Sequence, residues 1–325
     1  MALMPAAAVF LTPLPHGITV VDTGFERARF DAAYLLVDNG RAAFIDTGHN
    51  AAVPRLLAAL EQAGLARDQV DWVIPTHVHL DHAGGAGLLM QHLPKARLLV
   101  HPRGAPHLID PTALIAGATA VYGQEVVART YGRIEAVPAE RVLSSHDGQH
   151  LTLGQRTLTL IDTPGHARHH HAIWDERSQG WFTGDTFGIS YREFDGPDGP
   201  FIFPTTTPVQ FDPAALRGSI ARLMEHRPER VYLTHFGMVE GAERLASHLL
   251  AQLDEIEALG RRLAAHAHRD EALREGMAGV LVAHAGIEAL GMSAAQAREL
   301  LAIDIELNAQ GLAVWLAREA KAGAR

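Results

Sequence analysis

The segment Thr76–Gly85, THVHLDHAGG, places three histidines and one aspartate within six consecutive positions, His77 to His82. Imidazole nitrogen and carboxylate oxygen are donors that divalent first-row metals accept. His77 and His79 are two residues apart. In an extended segment such positions point the same way, so both rings can meet one ion. On a helix they would diverge by about 200°. Asp81 and His82 come as the chain turns toward the next helix and can face a neighbouring point. This layout differs from the helical H-E-x-x-H zinc motif, whose ligands are four residues apart. The chain has 20 histidines, so a solvated polar loop is the plain alternative, and the rest of the sequence has to choose.

Three more donors occupy comparable places. His166 stands in TPGH, Asp185 in TGDT and His235 in THFG, each just past a predicted strand and beside Gly or Thr. In open α/β sheets, ligands gather beyond the strand ends. Four such strand ends describe one site assembled from four loops. The sequence contains no cysteine. Any metal is therefore held by His, Asp or Glu, and no thiol nucleophile is on hand.

The elements that must position these donors are legible in outline. ITVVDTG and AAYLLVDNGRAAFIDTG read as strands, with Asp38-Asn39-Gly40 as a hairpin turn. AAVPRLLAALEQAG has helical periodicity and closes on Gly64. VDWVIP is a short buried strand ending at Pro75, and the histidine cluster follows it directly. GAGLLMQHL reads as a helix, ARLLVH as a strand, and residues 112–133 as helical. RTLTLIDTPGH, HAIWDE and GWFTGDT are strands. Residues 188–210 show no period and read as a long loop, of the kind that is often functional. DPAALRGSIARLMEH is a helix capped by Asp212 with Pro213 in its first turn, and ERVYLTHFG is a strand. Strand signals stop at Gly241; from there the chain is helical, with Ser293 as a cap. A division follows, with a main domain over residues 1–258 and a helical extension over 259–325.

Composition narrows the function classes. Hydrophobic content is 47%, charged content 20% and formal net charge −9. That is an ordinary globular balance. An acidic chain without a Lys/Arg block is a poor nucleic-acid partner. The N-terminus MALMPAAAVFLTPLPHG lacks a basic stretch and is broken by Pro5, Pro13 and Pro15, so it is a poor signal peptide. No run approaches the length needed to span a bilayer. A cytoplasmic protein with a small-molecule substrate and no membrane partner is expected.

THVHLDH, TPGH, TGDT and THFG, with FIDTG upstream, occur in that order from about Ile18 to about Gly237. The pattern resembles the metallo-β-lactamase superfamily. The resemblance implies a four-layer αβ/βα sandwich, here with a C-terminal helical extension. It implies that His77, His79 and His166 hold a first metal, that Asp81, His82 and His235 hold a second, and that Asp185 bridges them. Asp46 of FIDTG matches an aspartate that supports the ligand loop by hydrogen bonds. His170 stands where many members also carry histidine, as a supporting or substrate-facing group, with a simple polar loop role as the alternative. Outside the run His169–His171, the other twelve histidines, such as His92, His226 and His266, read as surface residues.

The implied chemistry is hydrolysis of a small ester, thioester or lactone by a metal-bridging hydroxide that Asp81 orients. The implied cofactor is a pair of divalent ions, zinc by preference, with iron or manganese as alternatives. His79 bears on this, because the family's diiron oxygen-reducing members carry Glu there. Two other branches compete. Persulfide dioxygenases keep the H-x-H-x-D-H pattern with a single iron. Glyoxalase II-like thioesterases use terminal helices to bind a glutathione thioester, although their basic binding residues find no match here. Tyr191, Arg192 and Phe201, with Phe194, are candidate pocket residues, against ordinary loop packing. The tail LLAIDIELNAQGLAVWLA must bury one face against something, and a homodimer through the C-terminal helices is one way to do so.

Overall fold

The computed structural model describes residues 9–323. The signal-peptide reading falls partly on residues 1–8, outside the described residues. The chain divides into two compact units. One runs to Asp162 and resumes over His171–Gly184; the other comprises Thr163–His170 and the chain from Asp185 onward.

The first unit holds a seven-stranded sheet in sequential order: β1 (Leu11–Leu14), β2 (Ile18–Asp22), β3 (Ala32–Asp38), β4 (Arg41–Ile45), β5 (Val70–Ile74), β6 (Arg97–Val100) and β7 (Val142–Ser144). The pairs from β1 to β4 are antiparallel, and those from β4 to β7 are parallel. The Asn39-Gly40 turn joins β3 to β4 as expected, with Asp38 opposite Arg41. Parallel strands need crossovers. They are supplied by α1 (Val53–Gln62), by α2 (Leu80–Ala83) with α3 (Ala86–His92), and by α4 (Ala105–Ile109), α5 (Thr112–Tyr122) and α6 (Gln124–Tyr131). In α1, Val53, Leu56, Leu57 and Leu60 are buried at spacings of three and four, against β2 and β3. Each such burial stabilises by about 1.5–3 kcal/mol. Leu60→Ala would cost about 2–5 kcal/mol through the cavity it leaves.

The same unit carries an antiparallel ladder of β8 (Gln149–Leu153), β9 (Arg156–Asp162), β10 (His171–Asp175) and β11 (Gly180–Gly184). Every residue of β10 and β11 is buried. Contacts join this ladder to the first sheet. Tyr34 meets Phe182 edge-on at 5.1 Å, and Trp72 Nε1 donates to the Thr152 carbonyl at 3.2 Å. The Asp38 carboxylate accepts the Gln155 N–H and pairs with Arg177; those two contacts hold its carboxyl below the usual range even though burial pushes the other way.

The second unit contains β12 (Asp195–Gly196), β13 (Gly199–Pro200), α7 (Pro213–Met224), the hairpin β14 (Arg230–Leu233) and β15 (Gly237–Glu240), then α8 (Ala242–Leu263), α9 (Arg269–His284), α10 (Ala294–Leu300) and α11 (Ala302–Gly323). Asp212 caps α7 by accepting the Ala215 N–H at 3.0 Å, and Ser293 caps α10. α8, α9 and α11 pack on one another, with Leu312 of α11 against Gly260 of α8 and Leu259 of α8 against Gly276 of α9. Among the described residues no single helix is long and apolar enough to cross a membrane. The bent pair α10–α11 passes that test on length and composition alone.

Several features differ from the sequence reading. The expected boundary at 258/259 falls inside α8, which runs unbroken for 22 residues, and the contacts divide the chain elsewhere. β1, β7, β8, β15 and α4 were not foreseen. Each has three to five residues, too few to display a period, and owes its form to its neighbours. Residues 188–210 form the expected long loop, interrupted only by a short turn and the β12–β13 pair, and much of it is buried, including Ile189, Phe194, Ile202, Phe203 and Thr206.

Candidate metal centre

Strand β5 ends at Ile74, and Pro75 has no N–H to continue the ladder. His79 is extended, with φ −62° and ψ 151°, and heads α2. The rings of His77 and His79 converge as the two-residue spacing requires, with Nε2 of one 2.9 Å from Nδ1 of the other. The turn of α2 then presents Asp81 and His82, whose Oδ2 and Nε2 are 3.7 Å apart. The ring centroids of His77 and His82 are 4.0 Å apart. Four donors of the first unit therefore crowd one end of β5.

Asp46, fully buried, holds this loop in place. Its carboxylate accepts the Thr76 N–H at 2.7 Å, the Thr76 hydroxyl at 3.0 Å and the Nδ1–H of His82 at 3.0 Å. The last contact fixes the His82 tautomer and makes Nε2 its donor atom. Asp46 does this from φ 56°, a left-handed conformation that Asp tolerates. The Thr47 N–H donates to the His82 carbonyl at 2.7 Å, and Gly85 N–H to the Gly48 carbonyl at 2.8 Å, so FIDTG and the ligand loop are laced together. His171, the first residue of β10, adds a second brace. Its N–H donates to the Thr76 carbonyl at 2.9 Å, and its ring Nε2–H to the Pro75 carbonyl at 2.9 Å. Ser145 Oγ lies 2.8 Å from the other ring nitrogen. Burial, with a smaller contribution from His101, lowers the His171 pKa to about 4, so the ring is neutral.

The same unit holds an aromatic group whose ionisable members sense the charge of Asp81. Phe25 stacks on Tyr131 at 5.7 Å and meets His49 at 5.3 Å. Burial raises the Tyr131 pKa, and the Asp81 charge adds to the effect. Burial lowers the pKa of His49, against the opposing pull of Asp81. His49 and His101 are buried, contrary to the expectation that the remaining histidines lie at the surface.

The second unit holds a donor set of its own. Asp185 follows β11, and its two oxygens diverge: Oδ2 lies 3.4 Å from Nε2 of His166, and Oδ1 lies 3.7 Å from Nε2 of His235. His166 is aimed by Thr205, whose hydroxyl is 2.6 Å from Nδ1. His170 acts on Asp185 through the backbone, its Nε2 accepting the Asp185 N–H at 3.2 Å. Its Nδ1 faces the Thr163 and Thr186 hydroxyls at 2.8 and 3.1 Å. His170 thus supports the ligand set. Gly165 is required before His166. Its φ is 136°, and a Cβ would lie 2.4 Å from the Leu216 backbone, where the TPGH loop seats on α7. The Asp212 N–H to Gly165 carbonyl bond, 2.8 Å, and the Ser219 Oγ to Pro164 carbonyl bond, 2.6 Å, close that seat.

Each donor set fits a small divalent cation. Around a tetrahedral ion with bonds of about 2.1 Å, neighbouring donor atoms sit about 3.4 Å apart. Separations of 3.4 and 3.7 Å about Asp185 match that figure, and the 2.9 Å pair in the first unit is slightly closer. All-His/Asp donors suit zinc, and also iron or manganese.

The remaining candidates sit in the interior of the 188–210 segment. Tyr191 is fully buried, with its hydroxyl 3.1 Å from an oxygen of Asp304. Phe201 packs on Phe194 and Phe203 at 5.8 and 5.6 Å, and Arg192 donates to the Ser190 carbonyl and pairs with Asp195 at 3.4 Å. Sequence reasoning missed Thr76, Thr205, His171 and Tyr131. For the two threonines the only local signal was that Thr adjoins several of the donors.

The metallo-beta-lactamase superfamily model matches residues 27–235. A metallo-beta-lactamase fold-containing protein of Sulfurisphaera tokodaii is 31% identical over 194 residues, 58% of this chain and 69% of that protein. The crystal structure of that archaeal protein superposes with a TM-score of 0.60 and 27% identity, over 73% of this chain and 86% of the other. An acyl-coenzyme A thioesterase of Bos taurus is 31% identical over 163 residues, 43% of this chain and 52% of that enzyme. A metallo-beta-lactamase family protein of Thermus thermophilus shares the fold, with a TM-score of 0.60 and 22% identity over 96% of this chain and 93% of the other. The fold class is thus the expected αβ/βα sandwich with C-terminal helices, and the chain belongs to the metallo-beta-lactamase superfamily.

Proposed function

We propose that this chain is a metal-dependent hydrolase that cleaves an acyl thioester, with small esters and lactones as the neighbouring substrate classes. The observation that carries the reading is the carboxylate of Asp185, which turns one oxygen to His166 and the other to His235. A carboxylate so divided can serve two cations at once. In this reading His77, His79 and His166 serve one ion, Asp81, His82 and His235 a second, and Asp185 both. When bound, such a pair lowers the pKa of an attacking water toward neutrality and polarises the scissile carbonyl.

The chain's own groups do the rest. Asp81 is partly open to solvent, 3.7 Å from His82 Nε2. Its carboxylate orients the water and takes the proton at Oδ1 or Oδ2. Asp46 and His170 hold donor loops rigid, which keeps the reacting geometry fixed. Phe25, His49 and Tyr131 pack together, His49 and Tyr131 sense the Asp81 charge, and in this reading they face the acyl portion of the substrate. The absence of cysteine agrees with attack by water and not by a thiol. The thioester preference is supported by the similarity to acyl-coenzyme A thioesterases, of which this chain spans about half the length.

The test is a screen of acyl-coenzyme A thioesters, aryl esters and lactones with protein stripped by chelator and reloaded with zinc, manganese or iron. Metal-dependent thioester cleavage, lost in His77→Ala and Asp185→Asn, is expected. Activity that survives both substitutions rejects the reading. One iron per chain with oxygen uptake on persulfide would replace it with a sulfur dioxygenase.

A further inference from the structure

Helix α11 touches the 188–211 segment along a single stripe. Asp304 meets the Tyr191 hydroxyl, Asn308 meets Thr206, Gly311 abuts Thr206, Trp315 meets the Phe211 ring at 6.3 Å, and Arg318 donates to the Val209 and Phe211 carbonyls at 2.9 and 3.0 Å. Spacings of four, three, four and three keep all five on one helix face.

The contact is closest at one point. The Thr206 N–H donates to Asn308 Oδ1 at 2.6 Å, the Thr206 hydroxyl to the Asn308 carbonyl at 2.8 Å, and Asn308 Nδ2 to the Pro204 carbonyl at 3.3 Å. Asn308, itself buried, therefore grips the residues on both sides of Thr205. Gly311 lies one turn further along. A Cβ there would fall 1.5 Å from the Thr206 carbonyl oxygen. Glycine inside a helix costs about 1 kcal/mol relative to alanine, and this close approach is a physical reason to keep it. Between the gripped residues, the Thr205 hydroxyl faces His166 Nδ1 at 2.6 Å and donates to the Asp185 carbonyl at 3.5 Å. One hydroxyl thus touches two of the donor residues, and α11 fixes where that hydroxyl stands.

We propose that Asn308 and Gly311 are positioning residues, through which helix α11 holds Thr205 against His166 and Asp185 and so tunes the metal affinity of the centre. The proposal rests on the reading of His166 as a metal ligand. With a metal on Nε2, the Nδ1–H of His166 donates to Thr205, and loss of such a supporting hydrogen bond lowers metal affinity about 10–100-fold.

The experiment measures zinc affinity and stoichiometry by competition with a chromophoric chelator, on the full chain, for the native protein and for His166→Ala, Thr205→Val, Asn308→Ala, Gly311→Ala and the double variant Thr205→Val/Asn308→Ala. Apo-protein melting is recorded alongside, and a variant that does not fold is set aside in favour of the others. Asn308→Ala and Thr205→Val should each weaken zinc binding about tenfold with stoichiometry retained at saturation, and the double variant should be no weaker than Thr205→Val alone, since both act through one hydroxyl. Native affinity in Asn308→Ala with only a lowered apo melting temperature would overturn the proposal, as would fully additive losses in the double variant. Native affinity and stoichiometry in His166→Ala would instead overturn the ligand reading itself.

Discussion

The backbone N–H of Asp185 donates to Nε2 of His170 at 3.2 Å. A ring nitrogen that accepts must be unprotonated, so the His170 proton is on Nδ1, facing the Thr163 and Thr186 hydroxyls. His170→Phe keeps the ring volume and removes the acceptor. The Asp185 N–H is then buried without its partner, at a cost of about 1–3 kcal/mol. Urea denaturation of the metal-free protein should show that loss, and chelator competition a weaker hold on zinc. Unchanged curves in both would remove His170 from the support of Asp185.

Asp46 binds the ligand loop through charge as well as shape. Asn also tolerates the φ of 56°, so Asp46→Asn isolates the charge. The amide cannot match the three contacts to Thr76 and His82. Zinc affinity should fall about tenfold, with turnover following metal occupancy. Native affinity in this variant would show that backbone lacing alone holds the loop.

His171 makes stability depend on pH. Its folded pKa of about 4 lies below the usual 6.5, so between those values the unfolded chain binds the extra proton. The contribution of the neutral ring is complete above about pH 6.5. It is lost as pH falls toward 4, by up to about 3 kcal/mol. His171→Gln keeps an N–H for the Pro75 carbonyl and cannot titrate. Stability of the metal-free native chain should fall more steeply with acid than that of the variant over this range. Parallel pH profiles would contradict the assignment.

Arg156 and Asp175 form a buried ion pair, Nε to Oδ1 3.5 Å, and neither side chain is exposed. Asp175→Asn removes this counter-charge, although the guanidinium also meets the His16 carbonyl and the Asp38 charge, and should destabilise by up to about 3 kcal/mol. The double replacement Arg156→Met/Asp175→Leu removes both charges and should cost less than the single one. Thermal or urea unfolding decides, and a larger loss in the double variant would count against the desolvation argument.

Metal removal should be visible without any substrate. A ligand at about one hundred times its dissociation constant stabilises the folded state by about 2.7 kcal/mol. Zinc added to chelator-treated protein should raise the melting temperature, and Asp185→Asn should blunt the rise. A melting temperature indifferent to zinc would deny that the donor sets bind it.

The sequence by itself determined what depends on near neighbours. His77 and His79 converge because alternate residues of an extended chain share a side, and Asp212 and Ser293 cap their helices because capping is local. Donors past the strands were legible because hydrophobic runs mark where strands end. Tertiary structure alone decided the supports. Thr205 reaches His166 across 39 residues and Asn308 reaches Thr206 across 102, and no short-range pattern distinguishes a threonine aimed at an imidazole from one in a solvated loop. The tail of α11 shows the difference most directly. Its stripe looked like an apolar face in need of a partner, yet Asp304, Asn308 and Gly311 lie on it. Polar atoms on a buried face are tolerated only when a specific partner satisfies them, and which partner that is depends on how the chain folds back on itself.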